Sequence, residues 1–586
     1  MAEGPERLFG PFAPYLRPYR RHIGLGLASI AVAQAATARI PVVLGRAVDA
    51  IAPGGPPDAM AAVAGHTAQM LLLAAVAAVA NHGMRRFFGI TATHLEFDIR
   101  AAYLARLLRL PLSFYQEQRT GDLMSRATND LNAVRVFFTY GLRSLIEAVL
   151  ALSLSLAMMG ALDWRLTLVV LLPLPVFSLL LIRMAAVVHT RFRAVQEMFG
   201  DLSTLIQEHL AGMRVVKTYV QGQQQLAAFE RLNDGYLARN RSLIRTHAVY
   251  HPLSPLVAAV GLGLVLWFGG RAVIEGRLTP GGFAAFTAYL TVLIRPVAAL
   301  GWVIDRLQRS VVAMRRINDV MAVEPAATAD VTAGTPPPIR GQIHFRGTTF
   351  RYGEQVILDD INLEVAPGQT LGIVGPVGSG KTTLVRLIPR LIETEPGQVA
   401  IDGKAVSEWP LAHLRQSIGY VSQLPFLFSA TVAGNVAYGD PDTGRERVAA
   451  AAEAAGLGPD IDGLPDGLDT MVGERGVTLS GGQKQRATLA RALLVEPRIL
   501  VLDDALSAVD TRTEAAILGH LRRQSGQCTV VLVAHRLSTL QHADVIIVLE
   551  HGRIVEQGSH AELMALGGRY ADTWRRQQLA AELEQL

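Results

Sequence analysis

Residues Gly375–Thr382 join glycines to a lysine and a threonine at the spacing G-x-x-x-x-G-K-[ST]. The run follows the strand-like segment Thr370–Val374 and precedes a helical pattern at Thr383–Leu391, which is the context that the motif needs. Glycines allow consecutive backbone N–H groups to turn inward around phosphate oxygens, and the N-terminus of the helix adds its dipole. An ordinary glycine-rich turn is the alternative. The phosphate-binding residues that the motif predicts are Gly375, Gly378, Ser379, Gly380, Lys381, Thr382 and Thr383.

The motif also assigns chemistry to two of its side chains. Lys381 is expected to reach the β- and γ-phosphates of a nucleotide, and the Thr382 hydroxyl is expected to ligate Mg²⁺. Further along the chain, Ile499–Asp503 has the pattern of a buried strand that ends in a carboxylate. An acid at that position can hold the magnesium ion opposite the threonine hydroxyl. The two segments together predict a site for a nucleotide and its metal.

A second glycine turn, Leu479–Gln483, leads into the predicted helix Lys484–Leu494. A helix N-terminus with glycine before it can bind an anion, so this turn is a candidate for a second phosphate contact. An ordinary helix cap would have the same sequence.

In this order the motifs resemble those of the ATP-binding cassette (ABC) family: Walker A at 375–382, the signature at 479–483 and Walker B ending at Asp503. The companion motifs of the family also match, at Tyr352 for adenine stacking, Gln423 of the Q-loop, 473–476 before the signature, 507–510 of the D-loop and the switch histidine His535. The resemblance implies that Asp504, His535 and Gln423 act in hydrolysis of ATP. It implies a magnesium site formed by Thr382, Gln423 and Asp503.

The resemblance also implies a dimer. In this family the signature, here Ser480, Gly481, Gly482 and Gln483, closes over ATP that is bound by the Walker A motif of a second subunit. One chain of this kind is half a transporter.

One position departs from the family pattern. A glutamate normally follows the magnesium aspartate as the general base, whereas this chain has Asp504. Aspartate is one methylene shorter, so its carboxylate retreats by roughly 1 Å, and a misplacement of that size can cost about 10²-fold in rate. In the family such a replacement marks the subunit of a heterodimer whose own ATP site is slow. A homodimer with two equal, modest sites is the alternative, which the retained His535 leaves open.

The elements that must position these groups fall into two parts. Hydrophobic residues make up 50% of the chain, charged residues 18%, and the mean hydropathy is +0.28, which makes a wholly soluble protein unlikely by composition. Apolar runs near the length of about 20 residues that spans a bilayer occur only in the N-terminal part. They lie at 23–45, 63–83, 142–162, 164–186, 255–275 and 281–303.

The predicted fold is therefore an α-helical six-span transmembrane domain fused to an α/β P-loop ATP-binding cassette domain. The domain bounds are 1–325 for the membrane part with its two long cytosolic loops, 326–338 for a proline-rich linker and 339–586 for the cassette. Residues 114–126 and 208–217 resemble the two cytosolic loops of ABC exporters of the multidrug and peptide type. That resemblance implies export of a small molecule, a peptide or a lipid.

The arginines of the N-terminal part give an orientation. They concentrate before the first run, between runs two and three and between runs four and five, whereas the loop 52–58 has none. By the positive-inside rule both termini and both long loops are expected in the cytosol, with the chain in the cytoplasmic membrane and in contact with its lipids. The net charge of +5 is explained by these arginines, so no nucleic-acid partner is expected.

Two charged residues inside the apolar runs are candidates for a substrate cavity. Glu147 lies in the inner part of the third run and Arg295 lies near the middle of the sixth. Charges at such depth are costly and often functional, so either residue could face a translocation cavity, or the two could pair with one another. A paired or cavity-solvated charge without substrate contact is an equal alternative for both. The single cysteine, Cys528, excludes an intrachain disulfide and a cysteine-based zinc site. An importer on the exporter fold and an ATP-gated channel or regulator remain alternatives to export.

Overall fold

The computed structural model describes residues 13–52, 56–325, 336–473, 479–523 and 526–584. For some helical residues, among them 294–301, only the backbone is described. The chain divides into two compact units, one with Met1–Leu108 and Thr120–Val323 and the other with Arg109–Arg119 and Glu324–Leu586. Residues 326–335 of the predicted linker lie outside the described residues.

The first unit is helical throughout its described part. The main helices up to the division are, in chain order, α1 (Arg20–Ile51), α2 (Ala59–Leu107), α3 (Leu112–Glu117), α4 (Thr120–Leu171), α5 (Leu174–Ala211), α6 (Met213–Thr218), α7 (Gly222–Leu264), α8 (Gly270–Ile274) and α9 (Pro280–Ala322). All of them except α3 belong to the first unit. Helix α4 contains π-turns at Arg126–Asp130 and Phe137–Gly141, and a further π-turn, Val265–Gly269, joins α7 to α8.

Among the described residues, three helices are long and apolar enough to cross a membrane, at Pro14–Ile51, Ala59–Leu107 and Thr120–Leu171. They contain the predicted runs 23–45, 63–83 and 142–162. Shorter apolar helices at Ala259–Ile274 and Pro280–Leu293 overlap the last two predicted runs. The count of six spans remains a prediction.

The structure interrupts the third helix where the sequence separates two apolar runs. Asp163 has the non-helical angles φ −156° and ψ 105° inside α4. Its Oδ1 atom accepts hydrogen bonds from the backbone N–H groups of Arg165 at 2.9 Å and Leu166 at 3.1 Å. Asp163 therefore caps the helical segment that follows it, because its carboxylate satisfies N–H groups that have no partner in the first turn.

Ion pairs join α4 to the last part of α9. Arg316 Nη1 lies 3.0 Å from Asp130 Oδ2, and the same guanidinium pairs with Asp122. Arg126 Nη2 lies 2.7 Å from Asp122 Oδ2 and Arg126 Nη1 donates to the Arg316 carbonyl oxygen at 3.0 Å. These contacts fix the first turns of α4 against the end of the helix that precedes the predicted linker.

The second unit is an α/β domain. Its strands are β1 (Ile343–Tyr352), β2 (Gln355–Val365), β3 (Thr370–Val374), β4 (Val399–Ile401), β5 (Lys404–Ala405), β6 (Ile418–Val421), β7 (Ala430–Thr431), β8 (Met471–Val472), β9 (Ile499–Asp503), β10 (Thr529–Val533), β11 (Val545–Glu550) and β12 (Arg553–Gly558). They form sheets in the orders β2-β1-β4-β5, β12-β11-β3-β10-β9-β6 and β7-β8. Its helices are α10 (Lys381–Leu387), α11 (Leu411–Gln416), α12 (Val432–Val436), α13 (Arg445–Ala454), α14 (Gly458–Asp462), α15 (Gly481–Leu494), α16 (Thr511–Arg523), α17 (Leu537–Leu540), α18 (His560–Leu566) and α19 (Arg569–Glu584).

The six-stranded sheet explains why the motifs converge. Strands β3, β10, β9 and β6 are parallel neighbours, and every residue of β9 and β10 is buried, as continuous apolar strands covered on both faces should be. Their carboxyl ends therefore share one edge, which is where open α/β sheets bind ligands. The chain leaves that edge at the glycine-rich loop after β3, at Asp504 after β9, at His535 after β10 and at Gln423 after β6.

Candidate nucleotide-binding site

The glycine-rich loop after β3 leaves room that side chains would fill. A Cβ atom at Gly375 would collide with the backbone carbonyl of Leu549, and Gly378 has a φ of +82°, which favours glycine. Ser379 is 3% exposed, and its Oγ atom has no hydrogen-bond partner among the described residues. A buried hydroxyl without a partner is costly, so this atom suits a ligand oxygen. The loop therefore fits a phosphate.

Lys381 begins helix α10 and is turned into the loop. Its Nζ atom donates to the carbonyl oxygens of Gly375 and Pro376, at 2.8 Å each, and only 8% of the residue is exposed. Burial lowers the pKa of the Lys381 ammonium, and the charges of Asp504 and Asp503 oppose this. A buried ammonium that bonds two carbonyl oxygens of the loop can offer a strong contact to an anionic ligand.

Thr382 and Asp503 come together as the sequence predicts. The Thr382 hydroxyl donates to Asp503 Oδ1 at 3.0 Å, and Asp503 is 1% exposed. Burial raises the pKa of the Asp503 carboxyl, while the hydrogen bond from Thr382 lowers it. The described residues contain no group of three or more His, Cys, Asp or Glu that could hold a metal. A hydroxyl beside one carboxylate fits Mg²⁺, which is usually bound by one or two carboxylates together with phosphates.

Tyr420 is a second partner of Asp503 that the motifs do not identify. Its hydroxyl donates to Asp503 Oδ2 at 3.4 Å. Burial, together with the negative charge of Asp503, raises the pKa of Tyr420 to about 12. The phenol therefore stays a donor at neutral pH and orients the carboxylate opposite Thr382.

Asp504 lies between the two residues that the resemblance places in hydrolysis. Gln423 Nε2 donates to Asp504 Oδ2 at 3.4 Å, and His535 Nε2 lies 4.0 Å from the same oxygen. The backbone of Asp504 has a φ of +53°, a region where aspartate and asparagine are enriched among non-glycine residues. The structure therefore brings all three predicted catalytic side chains together around one carboxylate oxygen.

The signature turn caps its helix with its own side chains. The Ser480 hydroxyl accepts from the Gln483 N–H at 3.3 Å, and Gln483 Oε1 accepts from the Ser480 N–H at 2.9 Å. This reciprocal capping box is the helix-cap alternative that the sequence left open. Gln483 Nε2 also donates to Asp460 Oδ1 at 3.1 Å. Residues 474–476 of the preceding motif lie outside the described residues.

Gln485, which belongs to none of the motifs, joins the signature helix to the segment after Asp504. Its side chain is buried, with Nε2 donating to Ser507 Oγ at 3.3 Å and Oε1 accepting from the Ala508 N–H at 3.0 Å. Ser507 Oγ in turn donates to the Asp504 carbonyl oxygen at 2.9 Å. The sequence gives only the position of Gln485 in a predicted helix. That position does not show that the side chain is buried or which groups it bonds.

Tyr352, Glu147 and Arg295 are the remaining candidates that the sequence predicts. The Tyr352 ring at the end of β1 is 37% exposed and makes an edge contact with Phe350, at 4.9 Å between centroids. Glu147 Oε1 lies 3.6 Å from Arg143 Nε on the same helix. The side chain of Arg295 lies outside the described residues.

Comparison with known proteins assigns a family to each half of the chain. Residues 23–297 match the family described as ABC transporter transmembrane region, and residues 358–507 match the family described as ABC transporter. The chain is 38% identical over 524 residues to the multidrug resistance-like ATP-binding protein MdlA of Escherichia coli (strain K12), covering 88% of both chains. It is 36% identical over 517 residues to the ATP-dependent lipid A-core flippase of Aromatoleum aromaticum, covering 88% of this chain and 85% of the relative.

A solved structure gives the same result for the fold. The structure of a bacterial Atm1-family ABC exporter with ATP bound superposes with a TM-score of 0.79 at 28% sequence identity. The match covers 95% of this chain and 99% of that one, so it extends over both the helical and the α/β unit.

Proposed function

Because this chain belongs to the ABC transporter family, as an ATP-driven exporter whose membrane and ATP-binding domains are fused, we propose that it exports a small amphipathic molecule, peptide or lipid. The relatives named for multidrug resistance and for lipid A-core flipping support an amphipathic cargo. The proposed location is the cytoplasmic membrane, with six spans and both termini in the cytosol, as the arginine distribution indicates. Glu147 and Arg295 are proposed to line the route of the cargo.

We further propose that the second subunit is a different half-transporter with glutamate at the base position. The observation that carries this proposal is Asp504, whose carboxylate is held by Gln423 at 3.4 Å and lies 4.0 Å from His535. Asp504 thus has the expected neighbours, Gln423 and His535, but its side chain is one methylene shorter than that of glutamate. This chain then binds ATP at a slow site, and its intact signature completes the fast site of the other subunit.

The proposed chemistry assigns each side chain a task. The glycine-rich loop and Lys381 bind the phosphates of ATP, while Tyr352 stacks on the adenine. Thr382, Asp503 and Gln423 would hold Mg²⁺, which when bound offsets charge on the phosphate oxygens. Asp504 accepts a proton from the attacking water, and His535 donates a hydrogen bond to the terminal phosphate. A base that is displaced by about 1 Å from the water lowers the rate of the step without weakening ATP binding.

Transport would follow from a shift between two conformations. ATP held between two cassettes stabilises their closed dimer, and hydrolysis releases it, which requires only that ATP binds the two states differently. The short helix α3 lies in the first cytosolic loop, and it groups with the cassette unit rather than with the helices on either side of it. This grouping supports a role for the loop in passing cassette closure to the membrane helices.

Hydrolysis by the purified chain alone tests the heterodimer. We expect little ATPase activity in lipid vesicles, and an increase of about 10-fold or more in Asp504→Glu, because the longer side chain restores the reach of the base. Robust activity of the unaltered homodimer that is abolished by Asp504→Asn would instead establish two equal sites. The retained contact of His535 with Asp504 is the observation that favours this second reading.

The direction of transport needs a separate measurement. Inside-out vesicles that contain the assembled transporter should accumulate an amphipathic dye, peptide or lipid against its gradient when ATP is added outside. Uptake only in right-side-out vesicles that are loaded with ATP would identify an importer. Flux that only runs down the gradient would identify an ATP-gated channel.

A further inference from the structure

The last helix of the cassette makes a two-sided contact with the segment that contains the switch histidine. Gln577 lies on α19, about forty residues after His535 in the chain. Its Nε2 atom donates to the His535 carbonyl oxygen at 2.7 Å, and its Oε1 atom accepts from the Leu537 N–H at 2.9 Å. One amide side chain therefore holds the backbone on both sides of Arg536.

These two bonds satisfy backbone groups that the local fold leaves open. Helix α17 begins at Leu537, and its N-cap residue, Arg536, makes no capping hydrogen bond with its side chain. The first N–H groups of a helix lack intrahelical partners, so without Gln577 the Leu537 N–H would lose its acceptor. On the other side of the segment, the Ala534 N–H donates to the Ile373 carbonyl oxygen at 3.3 Å, next to the glycine-rich loop.

The segment has space into which it could move. A cavity of about 350 Å³ is lined by Gly375 and Pro376 of the glycine-rich loop, by His535, and by residues of α19 that include Gln577. The His535 side chain is 46% exposed, so packing of the imidazole does not fix it. With the ring only partly packed, the hydrogen bonds to the backbone help to define where His535 lies relative to Asp504.

The helix that carries Gln577 is itself firmly placed. The Tyr570 N–H donates to Glu556 Oε2 at 3.0 Å, and the Tyr570 hydroxyl is 2.8 Å from His560 Nδ1. Tyr570 is 1% exposed, and the Trp574 ring packs on His560 with 4.6 Å between centroids. One turn further along, Gln577 projects from a helix whose first turns cannot shift freely.

We propose that Gln577 is a positioning residue for ATP hydrolysis, which holds His535 at the distance from Asp504 and the glycine-rich loop that the reaction needs. The Gln577 side chain then connects α19, which contains none of the family motifs, to the site of hydrolysis. This inference rests on the proposed role of His535 in hydrolysis.

The test replaces the amide without changing the volume of the side chain. Gln577→Met removes both hydrogen bonds and keeps the length of the side chain, while Gln578→Met is the matched control on an exposed neighbour of the same helix. Steady-state ATPase assays use the full chain in lipid vesicles, with Asp504 and in the Asp504→Glu background. Hydrogen exchange of residues 534–540 measures the placement of the segment independently of turnover.

We expect Gln577→Met to lower kcat by about 10-fold, because a catalytic group that moves by a fraction of an ångström loses rate steeply, with KM for ATP unchanged. Exchange at 534–540 should become faster, and Gln578→Met should alter neither quantity. Combined with His535→Ala, the Gln577→Met change should cause no further loss, since both act through one side chain.

Other outcomes separate the two proposals. If His535→Ala leaves kcat unchanged, the proposed role of His535 fails and this inference fails with it. If His535→Ala is slow but Gln577→Met matches Gln578→Met in both kcat and exchange, only the positioning role is overturned. Losses of kcat and ATP affinity that add to those of His535→Ala would show a general structural role and would also overturn it.

Discussion

Two glycine turns of the cassette lead into helices, and they differ in whether the first N–H groups of the helix are capped by side chains. At the first turn the N-cap is Gly380, with a φ of +102° and no capping side chain, so the leading N–H groups of α10 stay open. At the second turn Ser480 and Gln483 cap each other, so the start of α15 is already satisfied. The first turn is built to receive an anion by itself, whereas the second keeps its helix intact without one.

The same two regions differ in how closely they follow the family pattern. The signature turn is intact, while the phosphate-binding side carries Asp504 in place of glutamate. Gln485 connects them through Ser507, whose hydroxyl donates to the Asp504 carbonyl oxygen. Under the proposed heterodimer, one chain would hold a slow half at Asp504 and a complete half at the signature, and the contribution of each to ATP hydrolysis can be measured separately.

The largest effect is expected at the phosphate-binding turn. Lys381→Ala removes a buried cation that bonds two loop carbonyls, so both the loop geometry and the phosphate contact are lost. We expect ATP-dependent transport to fall by about 100-fold or more in vesicles. Lys404→Ala is the control, because the Lys404 ammonium lies 4.9 Å from the Trp409 ring centroid and outside the site. Undiminished transport by Lys381→Ala would refute the proposed mechanism.

The next effect tests the complete half. A Cβ atom at Gly482 would lie 2.7 Å from the Ala508 carbonyl oxygen, so Gly482→Ala must push the signature helix away from the segment after Asp504. We expect hydrolysis by the transporter, purified with its natural partner, to fall by about 10-fold or more. Gly519→Ala is matched to it, being helical with only the flexible Arg523 side chain nearby, at 3.8 Å. Equal activities of the two variants would contradict an essential signature.

A smaller effect is expected at Asp504, in the half that is proposed to be slow. Asp504→Asn removes a base that contributes little to total turnover if the partner performs most hydrolysis, so activity should change by less than about twofold. The measurement is the ATPase rate of the transporter purified with its natural partner, beside Gly482→Ala. A loss at Asp504 as large as the loss at Gly482 would show that this chain's own site carries the reaction.

The contrast between the regions also explains what could be predicted from the sequence. Thr382 and Asp503 are far apart in the chain, yet the structure places them 3.0 Å apart, because β3 and β9 are parallel and end at one edge. Motif spacing and strand patterns were enough for that. Gln485 and Gln577 were not identified, since a polar residue in a helix gives no sign of which backbone it will bond. For Glu147 the sequence indicates a charge inside an apolar run but not which group it contacts, and the structure places Arg143 Nε 3.6 Å from Glu147 Oε1, one turn away on the same helix.

The smallest effect concerns stability, and it distinguishes a metal ligand from a structural acid. Burial raises the pKa of Asp503, so in the absence of metal the folded state favours the neutral acid more than the unfolded chain does. The stability from that preference is complete below the unfolded pKa and is lost as pH rises through the folded pKa. Asp503→Asn does not titrate and Oδ1 can still accept from Thr382, so its melting temperature without Mg²⁺ and nucleotide should exceed that of the unaltered chain by a few degrees at pH 8. The difference should shrink towards pH 4.

Asp510 provides the opposite case in the same domain. Its backbone hydrogen bond from Thr513, 3.0 Å long, lowers the pKa of the Asp510 carboxyl, so the folded state prefers the ion. That stability is present above the unfolded pKa and is lost as pH falls through the folded pKa. Asp510→Asn should therefore give no rise in melting temperature at pH 8, measured in detergent on the full chain. If Asp503→Asn also gave no rise, the buried carboxylate would be stabilised by Thr382 and Tyr420 alone, and no metal would be needed to explain its charge.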